Sequence, residues 1–376
     1  MTSSCYTPVD FRSNEPLKPY TTFKIGGPAS FFANIRTPDE IREALAFRSA
    51  HNLGLFILGG GSNILVSDRG FDGLVVHPMN RGISILDQDA EAVTLQVNAA
   101  ETWDHVVAFT VEHGCWGIEN LSHIPGHAGA ALVQNIGAYG QQISDVLLST
   151  EVIEIEGGRV LTLRTVDCEM GYRRSLFNTR RKGQLLILTL TLRLAKNGRP
   201  NLQYPDLKAY FSRAETTPPT LPQIREAVIS IRDRKFPFPK EERGGNAGSF
   251  FKNLLLTAAE YEILEANLKS HFDSVIQQRL IEIRTTSPIS RAIKVPTAFL
   301  IETCGLKGYR IGAARVNEPQ PLVLLNEGGA TADDVLRLAR HIRQTVFART
   351  GMVISLEPEL VGFSQAEFAK YMALES

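Results

Sequence analysis

The chain has 376 residues, 43% of them hydrophobic, so it can bury substantial cores and exceeds the usual domain size of about 100–150 residues; two or three domains are expected. Lysine plus arginine equals aspartate plus glutamate at 40 each, which leaves no global field to recruit nucleic acid or an anionic membrane, so any basic site must be local. Cys5, Cys115, Cys168 and Cys304 lie too far apart for a zinc site or disulfide scaffold, Met1 to Asp10 lacks the regions of a signal peptide, and no apolar run approaches the ~20 residues that span a bilayer; a cytoplasmic protein without membrane insertion is expected.

Thr37, Pro38, Asp39 and Glu40 form a capping box with proline at the first helical position, followed by Ile41, Leu45 and Phe47 before Gly54, which predicts a helix. Leu55 to Leu58 is a short apolar run that stops at three glycines, the pattern of a buried strand entering a tight loop. Thr102 can cap a second helix through Val106, Val107 and Val111 to Gly114, and Glu151 to Leu163 reads as a hairpin turning at Gly157 and Gly158. Thr216 to Pro222 carries three prolines, a candidate domain boundary, after which Ile224, Val228 and Ile231 mark an amphipathic helix. Thr331 with Asp334 caps a last long helix through Val335, Leu338, Ile342 and Val346, and Met352 to Leu356 reads as a closing strand.

Gly59, Gly60, Gly61, Ser62 and Asn63 can expose successive backbone N–H groups to an anion, a diphosphate being the natural guest; an ordinary tight turn satisfies the same residues. A second small-residue stretch, Ile124, Pro125, Gly126, His127, Ala128, Gly129, Ala130 and on through Asn135, Gly137, Ala138 and Tyr139 to Gly140, also suits backbone lying against a ligand. Neither has the Lys-Ser or Lys-Thr pair of a P-loop, and no window has the Rossmann dinucleotide spacing, so ATP hydrolysis and a conventional NAD domain are disfavoured. His77, His123 and His127 lack the spacing of a metal site and read as packing or loop residues, and no metal is expected.

These two stretches, with Thr22-Phe23-Lys24-Ile25-Gly26-Gly27, the Tyr172 to Phe177 segment, Gly245 to Asn253 and Leu356-Glu357-Pro358-Glu359, closely resemble the UDP-N-acetylenolpyruvoylglucosamine reductase family over roughly residues 15–363. The resemblance implies an α+β, three-domain flavoenzyme whose two-subdomain FAD fold is of the vanillyl-alcohol-oxidase type. Residues 1–80, with a returning tail at 351–376, and residues 81–225 would hold FAD, while 226–350 would bind the UDP-sugar. Covalently flavinylated relatives place a histidine by the first glycine loop; Ser62 and Asn63 stand there instead, implying non-covalent FAD.

The implied reaction uses NADPH to reduce FAD, which reduces the enolpyruvyl ether of UDP-N-acetylglucosamine to UDP-N-acetylmuramate for peptidoglycan. Hydride addition leaves negative charge beside a carboxylate, so the site needs groups that stabilise an enolate and an acid for the α-carbon. The resemblance carries the active-site arginine onto Arg173, with Tyr172 adjacent, the proton donor onto Ser249 and the catalytic glutamate onto Glu359. Glu357, two residues earlier on the expected strand, should share its face and remains a second candidate; a turn serine bonded to its own backbone is the alternative at Ser249. Nucleotide-sugar contacts fall on Tyr204, Lys235, Asn253 and Gln320. Arg232 and Lys235, near the end of a helix, could meet a diphosphate or the flavin, or be solvated. The segment Glu241 to Gly244 is slightly longer than the family norm, and 270–295 lacks a tyrosine that some members place against UDP. A monomer is expected, and the rival functions are a flavin oxidase or dehydrogenase of the same cofactor fold and a catalytically silent nucleotide-binding module.

Overall fold

Thr37 accepts the amide of Glu40 with its hydroxyl at 3.2 Å and Pro38 occupies the first turn, so the first helix starts where the local sequence places it. The computed structural model describes residues 8–212, 218–236, 244–286 and 292–374. Cys5, the start of the proline-rich stretch at 216–217 and the lengthened segment at 241–243 lie outside those residues. The chain divides into two compact units, one made of residues up to 15, 29–60 and 72–234, the other of 16–28, 61–71 and 235–376.

The first unit holds two sheets. One contains β1 (Phe11–Pro16), β2 (Pro28–Ile35), β3 (Gly54–Ile57) and β5 (Phe71–Pro78) in the order β1-β2-β5-β3. Strands β3 and β5 run parallel, from Gly54 opposite Gly73 to Ile57 opposite Val76. Helix α1 (Pro38–Ala50) buries Ile41 and Ala44 in a core with Ala33, Ile35, Leu74 and Val76. The other sheet is antiparallel, in the order β11-β10-β12-β7-β6, with β6 (Ile83–Gln88), β7 (Ala92–Asn98), β10 (Leu147–Glu154), β11 (Val160–Arg164) and β12 (Leu185–Ala195). Ile153 pairs with Val160, so the expected hairpin turns at Gly157 and Gly158, both at positive φ. Helices α2 (Trp103–Glu112) and α3 (Ala128–Val133) share a core with this sheet through Trp103, Val106, Val107, Ala131 and Leu132. Thr102 is the N-cap of α2 but makes no side-chain cap bond, a correction to the expected cap; its own amide donates to Glu101 at 3.0 Å and that of Trp103 to the Gly126 carbonyl at 2.9 Å. A short ribbon of β8 (Gly137–Ala138) and β9 (Gln141–Gln142) follows, then α4 (Pro205–Phe211) and α5 (Leu221–Lys235), which buries Ile224, Val228 and Ile231 against Tyr139 and Leu207.

In the second unit β4 (Ile64–Val66) pairs in parallel with β18 (Glu359–Val361), Glu359 opposite Ile64. Its other elements are the pair β13 (Leu254–Leu256) and β14 (Ile293–Val295), helices α6 (Ala258–His271), α7 (Ser274–Thr286) and α8 (Thr297–Thr303), the three-stranded sheet β15 (Arg310–Ile311), β16 (Ala314–Val316) and β17 (Leu324–Asn326), and helices α9 (Ala332–Thr350) and α10 (Gln365–Met372). Thr331 and Asp334 form the capping box of α9, whose Val335, Leu338, Ile342 and Val346 are fully buried with Phe23, Phe250, Phe251 and Tyr261. The expected strand at Met352–Leu356 is not formed. Only Leu356 makes a bridge, to Phe251, while Arg343 Nε takes the carbonyl of Ile354 at 2.9 Å and the Lys252 amide that of Ser355. The Lys252–Ser355 bond is one of the two that make this bridge, whereas the Ile354 carbonyl is taken by a side chain, so the bridge is not extended there into a ladder. No helix among the described residues is long and apolar enough to cross a membrane.

Candidate active site

Gly59 and Gly60 meet the second small-residue stretch within the first unit. A Cβ on Gly60 would stand 2.6 Å from Gly126 Cα and 3.1 Å from the His127 nitrogen, one on Gly59 2.9 Å from Ala130 Cβ, and one on Gly129 2.9 Å from Ala99 Cβ. These glycines are therefore required by space, not by a left-handed backbone; only Gly61, at φ +60°, needs both, since its Cβ would lie 2.0 Å from the Tyr20 carbonyl oxygen in the second unit. The amides of Gly59, Gly60 and Gly61 donate to no other described residue. Such a run of unspent N–H donors in a tight glycine loop is the chemistry a diphosphate requires, so the residues present fit a dinucleotide such as FAD.

Asn135 and Tyr139, at φ +43° and +48°, shape the second stretch. The Asn120 side-chain amide donates to the Tyr139 carbonyl at 2.8 Å and to that of Asn201 at 2.9 Å. Burial pushes the Tyr139 phenol up to about 12, against a hydrogen bond from Arg232 that pulls it down. Arg232 itself is buried, which lowers its pKa, and its Nε donates to the His123 carbonyl at 3.0 Å. His123 is tied at both ends: its amide donates to Asp104 at 2.5 Å, and its Nε2 lies 2.9 Å from Asp233. Asp104 also takes a two-point fork from Arg225 at 2.6 and 2.9 Å, so α5 is clamped to the start of α2 just ahead of Ile124 and Pro125.

Arg173 and Tyr172 occupy the tip of a two-residue turn closed by a bridge between Gly171 and Arg174. The Arg173 Nη2 donates to the Gly137 carbonyl at 3.1 Å, and its guanidinium carbon lies 5.4 Å from the Tyr172 ring centroid. Tyr204 stacks edge-on against Tyr139 at 5.1 Å; its side chain is 39% exposed, but desolvation of the phenol and nearby Asp206 and Tyr172 raise its pKa, against Arg173. Arg173, Tyr172, Gly137, Tyr139, Tyr204 and Arg232 thus lie in one unit.

Ser249, Asn253, Gln320, Lys235, Glu357 and Glu359 belong to the other. Gly248, at φ +69°, donates its amide to the Asn246 side chain at 2.9 Å, and this turn delivers Ser249 opposite Val323. Ser249 Oγ makes no hydrogen bond to another described residue, so the alternative of a serine bonded to its own turn is not realised. The backbone then runs through Phe250 and Phe251, both fully buried, which places them in the core. Asn253 Oδ1 accepts the Thr297 amide at 3.1 Å, Gln320 closes a turn to Val323, and the carbonyl of Lys235 accepts from Asn317. Glu359 lies in β18 with its amide on the Asn63 carbonyl at 3.0 Å, while Glu357 lies before the strand, its carbonyl accepting from Asn63 Nδ2. A bend at Pro358 separates the two glutamates, so strand alternation does not place them on one face.

Asn120 and Asn178 escaped sequence reasoning. Asn178 had a local signal, standing three residues after Ser175 in a capping box, but that spacing does not reveal that its amide also reaches the Arg173 carbonyl. Among the described residues no group of three or more His, Cys, Asp or Glu side chains is placed to hold a metal.

Residues 29–164 match a family described as an FAD binding domain, and residues 239–361 match the C-terminal domain of UDP-N-acetylenolpyruvoylglucosamine reductase. The reductase of that name from Flavobacterium johnsoniae is 37% identical, covering 94% of this chain and all of its own length; that from Neisseria gonorrhoeae is 38% identical over 93% and 97%. The crystal structure of the Thermus caldophilus reductase shares the fold, with a TM-score of 0.63 at 22% identity over 95% of this chain and 100% of its own. With helices beside mainly antiparallel sheets, an α+β architecture, and relatives this similar over nearly the whole length, the chain belongs to the UDP-N-acetylenolpyruvoylglucosamine reductase family.

Proposed function

We propose that the chain reduces UDP-N-acetylglucosamine enolpyruvate to UDP-N-acetylmuramate in cell-wall synthesis, with FAD held non-covalently, NADPH as reductant and a monomer acting in the cytoplasm. The observation that carries this reading is the near full-length similarity to reductases of that name, spanning both the FAD binding match and the reductase C-terminal match. The chemistry FAD supplies when bound is hydride transfer, taken from NADPH and given to the β-carbon of the enolpyruvyl ether.

The chain's own residues then have three tasks. The glycine amides at 59–61, with Ser62, Asn63 and the 124–139 stretch, bind the dinucleotide, and Arg232 lends positive charge near it. The guanidinium of Arg173 binds the substrate carboxylate through its planar fork and stabilises the charge that develops beside it, with Tyr172 against its face. Ser249 Oγ, which makes no hydrogen bond to another described residue, gives its proton to the α-carbon, with Glu359 as the acid–base partner. A serine is a weak acid, but an enolate carbon is a strong base, and the transfer depends on both. Tyr204, Lys235, Asn253 and Gln320 take the nucleotide sugar. Functionally we divide the chain into 1–80 with 351–376 and 81–225 for FAD, and 226–350 for the sugar nucleotide.

Incubation of the purified protein with NADPH and UDP-N-acetylglucosamine enolpyruvate, followed by mass spectrometry, should give a nucleotide sugar carrying two additional hydrogens. Intact substrate after NADPH addition would overturn the assignment.

A further inference from the structure

Arg173 sits at φ +52°, a left-handed conformation that is strained for a bulky side chain. It is the second central residue of the Gly171–Arg174 turn, where positive φ ordinarily selects glycine or asparagine. A strained arginine persists only where its surroundings over-determine it.

Two asparagines do so. Asn135, 2% exposed, donates Nδ2 to the Gly171 carbonyl at 3.0 Å and accepts the Ser144 amide on Oδ1 at 3.1 Å. Asn178 donates Nδ2 to the Arg173 carbonyl at 3.2 Å and accepts the Ser175 amide on Oδ1 at 2.9 Å. Each therefore spends a donor on a carbonyl of the turn and an acceptor on an amide elsewhere, a pairing that fixes the amide orientation and that only a carboxamide provides. The two carbonyls bracket Tyr172 and Arg173. Ser175, fully buried, ties the far side down by donating Oγ to the Val133 carbonyl at 2.6 Å.

We infer that Asn178 and Asn135 are positioning residues for Arg173: their side-chain amides hold the carbonyls on either side of the Tyr172-Arg173 tip and keep the arginine in its left-handed conformation, with the guanidinium aimed at the Gly137 carbonyl. Neither touches the reacting atoms. The inference rests on the reading of Arg173 as the group that binds the substrate carboxylate. Its consequence is that the arginine is ordered before substrate arrives, so no conformational search is charged to the reaction.

The test is a double-mutant cycle on the FAD-loaded protein, with Asn178→Ala, Arg173→Ala and both together, read as the separate rates of flavin reduction by NADPH and flavin reoxidation by the enolpyruvyl substrate. Asn178→Ala should leave FAD content, thermal midpoint and the reduction rate close to wild type and slow reoxidation about tenfold. In the Arg173→Ala background it should change reoxidation by less than twofold, because the group it positions is gone. Asn178→Asp, which keeps the acceptor and loses the donor, should be as impaired as Asn178→Ala. Equal slowing in both backgrounds, or equal loss from both half-reactions together with FAD, would assign Asn178 a general folding role and overturn the inference. If Arg173→Ala itself reoxidises normally, the reading of Arg173 falls instead, which the same cycle reveals separately.

Discussion

Replacing Gly60 by alanine tests the cradle with a single methyl group. The backbone at Gly60 is not left-handed, so alanine meets no conformational penalty there, and the whole effect is one of space. The methyl would lie 2.6, 3.0 and 3.1 Å from the Cα and carbonyl carbon of Gly126 and the nitrogen of His127. Carbon atoms rest about 3.5–4.0 Å apart, so the two loops must separate by about 1 Å, and no side chain is present whose rotation could absorb the strain. Overpacking of this kind costs about 1–3 kcal/mol. Because the displaced atoms are those proposed to hold the diphosphate, the same loss should appear in cofactor affinity, an increase in the FAD dissociation constant of about 5–150-fold. Flavin fluorescence titration of apoprotein measures it directly. Gly157→Ala is the control: it sits at φ +85° with nothing within 4 Å of its Cβ, so it should cost stability through backbone strain and leave FAD affinity unchanged. Wild-type FAD affinity in Gly60→Ala would refute the cradle.

Three further outcomes follow from the same geometry. Ser249→Ala should preserve flavin reduction by NADPH and slow reoxidation by substrate by a factor matching the ~3–4 kcal/mol that loss of one transition-state donor costs; equal rates in both halves would leave Ser249 a turn residue. Arg173→Lys should impair reoxidation strongly, since an ammonium cannot reproduce a two-point fork, and unchanged turnover would remove the arginine from the mechanism. His77 is held to about 4 by burial first and by the neighbouring charges of His127, Arg12 and Arg81. Its folded pKa lies below its unfolded value of 6.5, so the unfolded chain takes up a proton that the folded chain refuses, and stability falls as pH drops from 6.5 towards 4, by up to about 3 kcal/mol. Urea titrations at pH 7 and pH 5 should show that slope in wild type and a shallower one in His77→Gln; parallel slopes would show that His77 is not its source.

What could be read from the sequence was what neighbouring residues decide among themselves. Thr37 with Glu40 and Thr331 with Asp334 close their own capping boxes or caps, and Gly157 and Gly158 turn their own hairpin, so those elements stand where local chemistry puts them. Expectations failed where a distant partner intervened. The amide of Trp103, the first residue of α2, went to the Gly126 carbonyl and Thr102 was left without a side-chain cap bond, and Arg343 took the Ile354 carbonyl that a strand at Met352–Leu356 would have needed. The bend at Pro358 undid the shared face of Glu357 and Glu359, since alternation holds only within a continuous strand. At the candidate site the glycines announced a tight loop, but whether its amides were spent could not be known from spacing; nor could the unbonded hydroxyl of Ser249 or the reach of Asn178 to the Arg173 carbonyl.

The central claim is that bound flavin passes reducing equivalents from NADPH to an enolpyruvyl sugar nucleotide, and anaerobic stopped-flow absorbance separates its two steps. NADPH alone should bleach the yellow protein, and UDP-N-acetylglucosamine enolpyruvate added afterwards should restore the oxidised spectrum without oxygen. A protein that bleaches with NADPH but stays reduced when this substrate is added would contradict the account.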